Sequence, residues 1–423
     1  LSILLFLLSA VPDTLHLDFK QTLNRAYQEA PAIKLARIAI EQRGLDKNAV
    51  LSTFYPQVNA QGSISRLQEP LSATLELLPG AKFDITLSDE KMEVFQTSIQ
   101  LPLWTFGRRL EGYALAEEAI EAARLDSIKA LRKLHMQVVE LYQNIIALSE
   151  MEALMKRALD NATKHRLSIE KKYNDGLVSS YNLLKAKTKE KELQPDLIEV
   201  QQQKQTLSSR LGILLNIGPD TVLALKAEWN TPDSLPSATE DEVLFSQPDW
   251  NQLQLGKRML GRQIKIKQRE ALPVIAAGAD YTVQRSPLTN GVWDDGWRYS
   301  ISAKMPLTTG FKKYNEVKKL EKELEKLGIQ EDALRTQLRF ELKESIGKFE
   351  TAKAKLEATK AKETEAEELF RIASQRYREG LLADIDLMDA ELGLAKARAE
   401  RVMAECKVII AYEHWLNLIG GKQ

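Results

Sequence analysis

Two carboxylates in this chain have the spacing to act together on a solute. Asp386 and Asp389 stand three residues apart, which puts both on one face of a helix. Such a pair attracts cations. It also suits an ordinary helix start, where negative charge complements the helix dipole. The chain supports no other chemistry. Its four histidines, His16, His135, His165 and His414, show no metal-ligand spacing. There is no HExxH, nucleophile elbow or phosphate loop. The single cysteine, Cys406, sits inside a helical pattern and reads as a small packing residue. No catalytic residue, metal site or cofactor is expected, and the scattered Asp and Glu read as solvated helix faces.

The aspartates follow a helix stop, Tyr377-Arg378-Glu379-Gly380-Leu381. The same pattern occurs upstream as Tyr173-Asn174-Asp175-Gly176-Leu177, with Asn182 and Lys185 at the positions of Asp386 and Asp389. A glycine ending one periodic run and opening another reads as a turn between antiparallel helices. Tyr173 and Tyr377, Gly176 and Gly380, and Pro102 and Pro306 all keep one offset of 204 residues. One offset for separate landmarks marks an internal duplication.

Each copy reads in the same order. The first spans 11–217: a helix over Leu17 to Leu51, a β-hairpin at about 56–103, a helix from about Trp104 to Lys172, the Gly176 turn, and a helix over Ser180 to Asn216 with a kink at Pro195. Residues 218–239 carry three prolines and read as a linker. The second copy spans 240–423: a helix over Glu240 to Glu270, a hairpin at about 273–306, a helix over Lys313 to Tyr377, the Gly380 turn, and a helix over Asp384 to Leu418. The first hairpin carries 13 extra residues, and the loop over Leu67 to Met92 is where they fit. In each copy the two shorter helices together match the long one, and the long helices keep a period near 3.5, as in coiled coils.

The strands alternate. Val58, Ala60, Gly62 and Ile64 oppose Asn59, Gln61, Ser63 and Ser65, and Trp297, Tyr299, Ile301 and Ala303 oppose Arg298, Ser300, Ser302 and Lys304. About ten residues with apolar-out, polar-in alternation fits an outer-membrane strand. A soluble sandwich hairpin fits each strand taken alone. Four strands cannot close a barrel, so in lipid several chains must share one.

Composition agrees with long helices. Of 423 residues 28% are charged, with Lys+Arg 59 against Asp+Glu 59, so nothing points to nucleic acid. Residues 1–10 form a short apolar run ending in small residues, expected as the remainder of a signal peptide; a buried N-terminal element is the alternative. No other stretch is long and apolar enough for a membrane helix.

Taken together, the doubled order of helix, hairpin, long helix, Gly turn and helix resembles the TolC family of outer-membrane efflux and secretion channels. Leu101-Pro102-Leu103, Met305-Pro306-Leu307, Tyr-x-x-Gly at each tip and Asp-x-x-Asp-Ala after the second carry that resemblance. The fold class it implies is mainly α with a small β part: duplicated long helical hairpins, plus four strands contributing to a shared trimeric 12-strand outer-membrane β-barrel. It implies a homotrimer in the outer membrane of a Gram-negative-type bacterium, with a large periplasmic portion and no enzymatic activity. The implied partners are outer-membrane lipid, a periplasmic adaptor protein and an inner-membrane transporter. The turns holding Tyr173, Gly176, Leu177, Tyr377, Gly380 and Leu381 would meet the adaptor. Asp386 and Asp389 would line the tunnel's closed end as a cation-selective ring, with Lys185 available to pair with one of them. Leu382 departs from the pattern, standing where the family has a basic residue. Small molecules and secreted polypeptides both fit such a duct as cargo. A periplasmic coiled-coil scaffold is the competing reading, but it leaves the four strands without a purpose.

Overall fold

The computed structural model describes residues 14–69, 72–78, 80–86, 91–218, 221–227, 229–285, 292–308 and 310–420. The apolar run at 1–10 lies outside them, as do residues 290 and 291, where the sequence Asn290-Gly291 reads as a loop of the second hairpin. In chain order the elements are β1 (Thr14–Leu17), α1 (Phe19–Glu29), α2 (Pro31–Ser52), β2 (Gln57–Arg66), β3 (Ser72–Leu78), β4 (Ala81–Thr86), β5 (Lys91–Trp104) and α3 (Arg108–Asn174). There follow α4 (Ser180–Leu214), β6 (Val222–Leu225), α5 (Glu240–Ser246), α6 (Pro248–Arg269), β7 (Val274–Arg285), β8 (Trp293–Lys304), α7 (Lys312–Arg378) and α8 (Asp384–Leu418). Helical hairpins occur twice, each pairing a 67-residue helix with one of 35 residues.

Proline explains two departures from expectation. The helix expected over Leu17 to Leu51 is two, broken at Ala30 before Pro31. The helix expected over Glu240 to Glu270 breaks likewise at Gln247 before Pro248. Ala30 and Gln247 both turn to ψ near 125°, because a following proline disfavours the helical region. Asp18 starts α1 with a reciprocal capping box: its carboxylate accepts from the Gln21 amide at 2.7 Å, and the Gln21 side chain accepts from the Asp18 amide at 3.1 Å. Pro195 stays inside a continuous α4. The loop expected over Leu67 to Met92 holds the antiparallel pair β3–β4.

The chain divides into two compact units. The first gathers the chain up to Ile38 with Arg124–Gln252 and the chain from Glu331 onward. Its largest core joins Ala26, Ala30 and Ile33 to Leu134, Val138 and Ile145 of α3 and to Leu211 and Leu215 at the end of α4. The segment read as a linker is packed here. β6 pairs in parallel with β1, the Tyr142 hydroxyl donates to the Lys226 carbonyl at 2.8 Å, and the Trp415 indole donates to the Pro236 carbonyl at 3.0 Å. Cys406 packs with Ala147 and Val402, where burial pushes its thiol up to about 12. Glu152 of α3 accepts from Lys156, Lys204 and Gln201; those bonds, Lys156 first, hold its carboxyl down to about 2.

The second unit, Ala39–Ala123 with Leu253–Gln330, holds one four-stranded antiparallel sheet in the order β2-β5-β7-β8. Register puts Val58, Ile99, Ala279 and Tyr299 in one cross-strand row, and Asn59, Ser98, Asp280 and Arg298 in the next. The sheet therefore has one apolar and one polar face. The apolar face is open: Ile301 is 79% exposed and Tyr299 76%. Among the described residues β2 and β8 each have a single strand neighbour, and they run antiparallel to one another. The sheet joins its helices through matched turns. Phe106-Gly107 before α3 and Gly310-Phe311 before α7 all adopt positive φ. Arg109 pins the first turn, donating to the carbonyls of Thr53 at 2.9 Å and Pro102 at 2.6 Å while lying over the Phe54 ring.

Candidate functional site

The candidate site is the pair of hairpin turns and the helix starts below them, all in the first unit. Both turns close the same way. Gly176 and Gly380 take φ of +76° and +74°. The Leu177 amide donates to the Lys172 carbonyl and the Leu381 amide to the Arg376 carbonyl, each at 2.8 Å. The glycine amides donate to the carbonyls of Tyr173 and Tyr377 at 3.0 Å. This is the Schellman closure, whose left-handed residue favours glycine. It leaves Leu177 and Leu381 at the apices, 74% and 73% exposed.

The helix starts differ. α4 has a Ser179 cap that accepts from the Asn182 amide. α8 starts at Ala383, which offers no side-chain cap. Its first residue, Asp384, instead bonds across to other helices. Lys172 of α3 donates to Asp384 Oδ2 at 2.6 Å, and the Tyr377 hydroxyl donates to Oδ1 at 2.6 Å. The Lys172 ammonium also lies 5.4 Å from the Tyr377 ring centroid. Burial pushes the Asp384 carboxyl up, but the bonds from Lys172 and Tyr377 outweigh it and hold it below its ordinary value. The bond to Asp384 pushes both Lys172 and Tyr377 above theirs. Asp384 thus ties the ends of α3 and α7 to the start of α8. Below it Ile169, Leu183, Ala186, Ile385 and Met388 form a small apolar core.

Of the residues singled out in the sequence, Asp386 is exposed and Asp389 is half-buried. Asp389 faces α4, where Lys185 lies 3.8 Å from its carboxylate and Lys189 contacts it. Asp386 has no such ion pair among the described residues. Asn182 is half-buried near its Ser179 cap. Tyr173 is exposed and Tyr377 is half-buried on Asp384, because the first copy has Ser180 where the second has Asp384. Sequence reasoning missed Lys172, Lys189 and Asp384. Lys189 was within reach, since it stands four residues after Lys185 on the same helix face. Lys172 and Asp384 meet only because α3 packs on α8. No cluster of His, Cys, Asp and Glu among the described residues could hold a metal ion.

The doubled hairpins and the open sheet define a class of protein, one built of duplicated long helical hairpins that carry a small antiparallel sheet. The model of the outer membrane efflux protein family matches residues 22–216 and again residues 241–421, so this chain belongs to that family of channel proteins. It is similar to the outer membrane efflux protein BepC of Brucella suis biovar 1, 20% identical over 400 residues that cover 94% of this chain and 84% of BepC. Its fold is that of the outer membrane protein VceC from Vibrio cholerae, with TM-score 0.75 at 18% identity over 95% of this chain and 96% of that one. The CmeC outer membrane channel of Campylobacter jejuni gives TM-score 0.78 at 16% identity, over 95% and 85% of the two chains.

Proposed function

We propose that three copies of this chain form one export channel, exporting small molecules or polypeptides across the outer membrane and the periplasm. The observation that carries this is the four-stranded sheet, with its exposed apolar face and two unpaired edges. In water such a face is an aggregation hazard; in lipid it is the required surface. Lipid in turn forbids open edges, so β8 of one copy must meet β2 of the next, which the antiparallel order allows. Three copies then share twelve strands, with Asn59, Gln61, Gln96, Ser98, Arg298, Ser300 and Lys304 on the inner face. The long hairpins form the periplasmic tunnel. The turns around Gly176 and Gly380 dock a periplasmic adaptor that connects an inner-membrane pump. Asp386 and Asp389 contribute rings of carboxylates near the tunnel mouth, where such rings favour cations. Because Asp389 is paired with lysines, Asp386 carries most of the unbalanced charge.

The test is outer-membrane insertion of substituted chains, read as trimer recovery from unboiled membranes. Ile99→Arg or Ile301→Arg puts a cation on the lipid face and should cost about 2–4 kcal/mol per chain near the bilayer midplane. Gln100→Arg or Ser300→Arg points inward and should be tolerated. Equal behaviour of the two pairs would overturn the barrel.

A further inference from the structure

The two junctions between sheet and helices meet at one cleft, which the export reading leaves unexplained. It has a volume of about 640 Å³, and its lining includes Arg108, Lys312, Leu307, Phe311 and Tyr314. Its cations are unevenly used. Lys267 is paired with Glu270 and Glu316, at 3.2 and 3.3 Å, and Lys313 donates to the Gln268 carbonyl at 2.5 Å. Arg108 and Lys312 have no side-chain hydrogen bond or ion pair among the described residues. Both stand in the first turn of their helices, where the helix dipole disfavours positive charge. They are the counterparts of each other in the duplication, 204 residues apart, so the chain places at this level twice a cation that has no such partner among the described residues.

The apolar wall is equally out of place for a surface in water. Leu307 is 90% exposed and Phe311 82%. Phe311 adopts a left-handed backbone, with φ of 63°, that a bulky residue rarely takes. Phe311 lines the same cleft as Arg108 and Lys312.

We propose that this cleft binds an anionic glycerophospholipid. Arg108 and Lys312 take the phosphodiester, and Leu307 and Phe311 take the start of an acyl chain. The inference rests on the reading of the sheet as a membrane wall, which puts the cleft at the headgroups of the leaflet nearest the helices. Charge complementarity selects the headgroup: both kinds of lipid offer the same phosphodiester, but the ammonium of a zwitterionic headgroup is repelled by Arg108 and Lys312, whereas a headgroup of net negative charge is not. Cations at such a surface favour anionic lipid by about fivefold each.

The test uses the full-length protein inserted into vesicles of zwitterionic phosphatidylcholine with a minority of phosphatidylglycerol. Lipids retained after mild detergent release are counted by native mass spectrometry. Wild type should retain phosphatidylglycerol above its bulk share, and Arg108→Gln/Lys312→Gln should lose most of that enrichment. Arg108→Lys/Lys312→Arg keeps both charges and should keep the enrichment, which separates the site from simple damage to the fold. Added inorganic phosphate should not displace the lipid; displacement would overturn the lipid assignment in favour of a soluble anion. Equal enrichment in wild type and the Gln variant would overturn the site. So would a photocrosslinker at Phe311 that captures a second copy of this chain and no lipid. A wild type that fails to insert overturns the membrane reading and this inference with it, whereas insertion without enrichment overturns this inference alone.

Discussion

Replacing Asp384 with asparagine tests whether one carboxylate holds the hairpin ends together. Asparagine keeps the shape and can still accept from Tyr377, but it removes the charge that Lys172 faces at 2.6 Å. A hydrogen bond between charged groups contributes roughly 1.5–3 kcal/mol. The Asp384 side chain is 9% exposed but that of Lys172 is 36%, so solvent screening lowers the figure to about 1–2 kcal/mol. In hydrogen exchange of the intact protein, amides near Lys172 and over the first turn of α8 should exchange about 5- to 30-fold faster, at 1.4 kcal/mol per decade. A cycle with Tyr377→Phe should show coupling, since both donors share one carboxylate. The pH dependence follows from the shifts. The lowered Asp384 value means its contribution is present above the ordinary carboxylate range and lost as pH falls through the lowered one. The raised Lys172 value means its contribution is present below the ordinary lysine range and lost only as pH rises through the raised one. Protection should therefore be flat across neutral pH. Unchanged exchange in Asp384→Asn, or strictly additive effects with Tyr377→Phe, would refute the tie.

Asp386→Ala/Asp389→Ala should weaken cation selectivity and block by multivalent cations in planar-bilayer conductance; Asp386→Ala alone should give most of the effect, because Asp389 is already paired. Crosslinkers at the exposed apices Leu177 and Leu381 should capture a periplasmic adaptor in cells, and capture of outer-surface partners alone would reverse the proposed orientation. Gly380→Ala should cost about 1–2 kcal/mol through left-handed backbone strain, since nothing lies within 4 Å of the added methyl; a thermal melt that does not shift would remove glycine's conformational role there.

Periodicity and punctuation in the sequence were enough for the order of the long helices and the four strands of the main sheet. Alternation marked β2, β5, β7 and β8, a rhythm near 3.5 residues marked the long helices, and the repeated Tyr-x-x-Gly located both turns. These signals are local, so they survive without knowledge of the neighbours. The breaks at Ala30 and Gln247 were also written locally, in Pro31 and Pro248, since a proline restrains the residue before it. Other features depend on which helix lies beside which. β6 forms only because β1 is there to pair with it. Lys172, Tyr377 and Asp384 lie on three helices, and no spacing within one of them announces their contact. Lys189 shares a helix face with Lys185, yet only the packing of α4 on α8 turns that pair toward Asp389 and leaves Asp386 unpaired. Secondary structure follows from each segment's own residues, whereas ion pairing between helices follows from their packing, which only the folded chain decides.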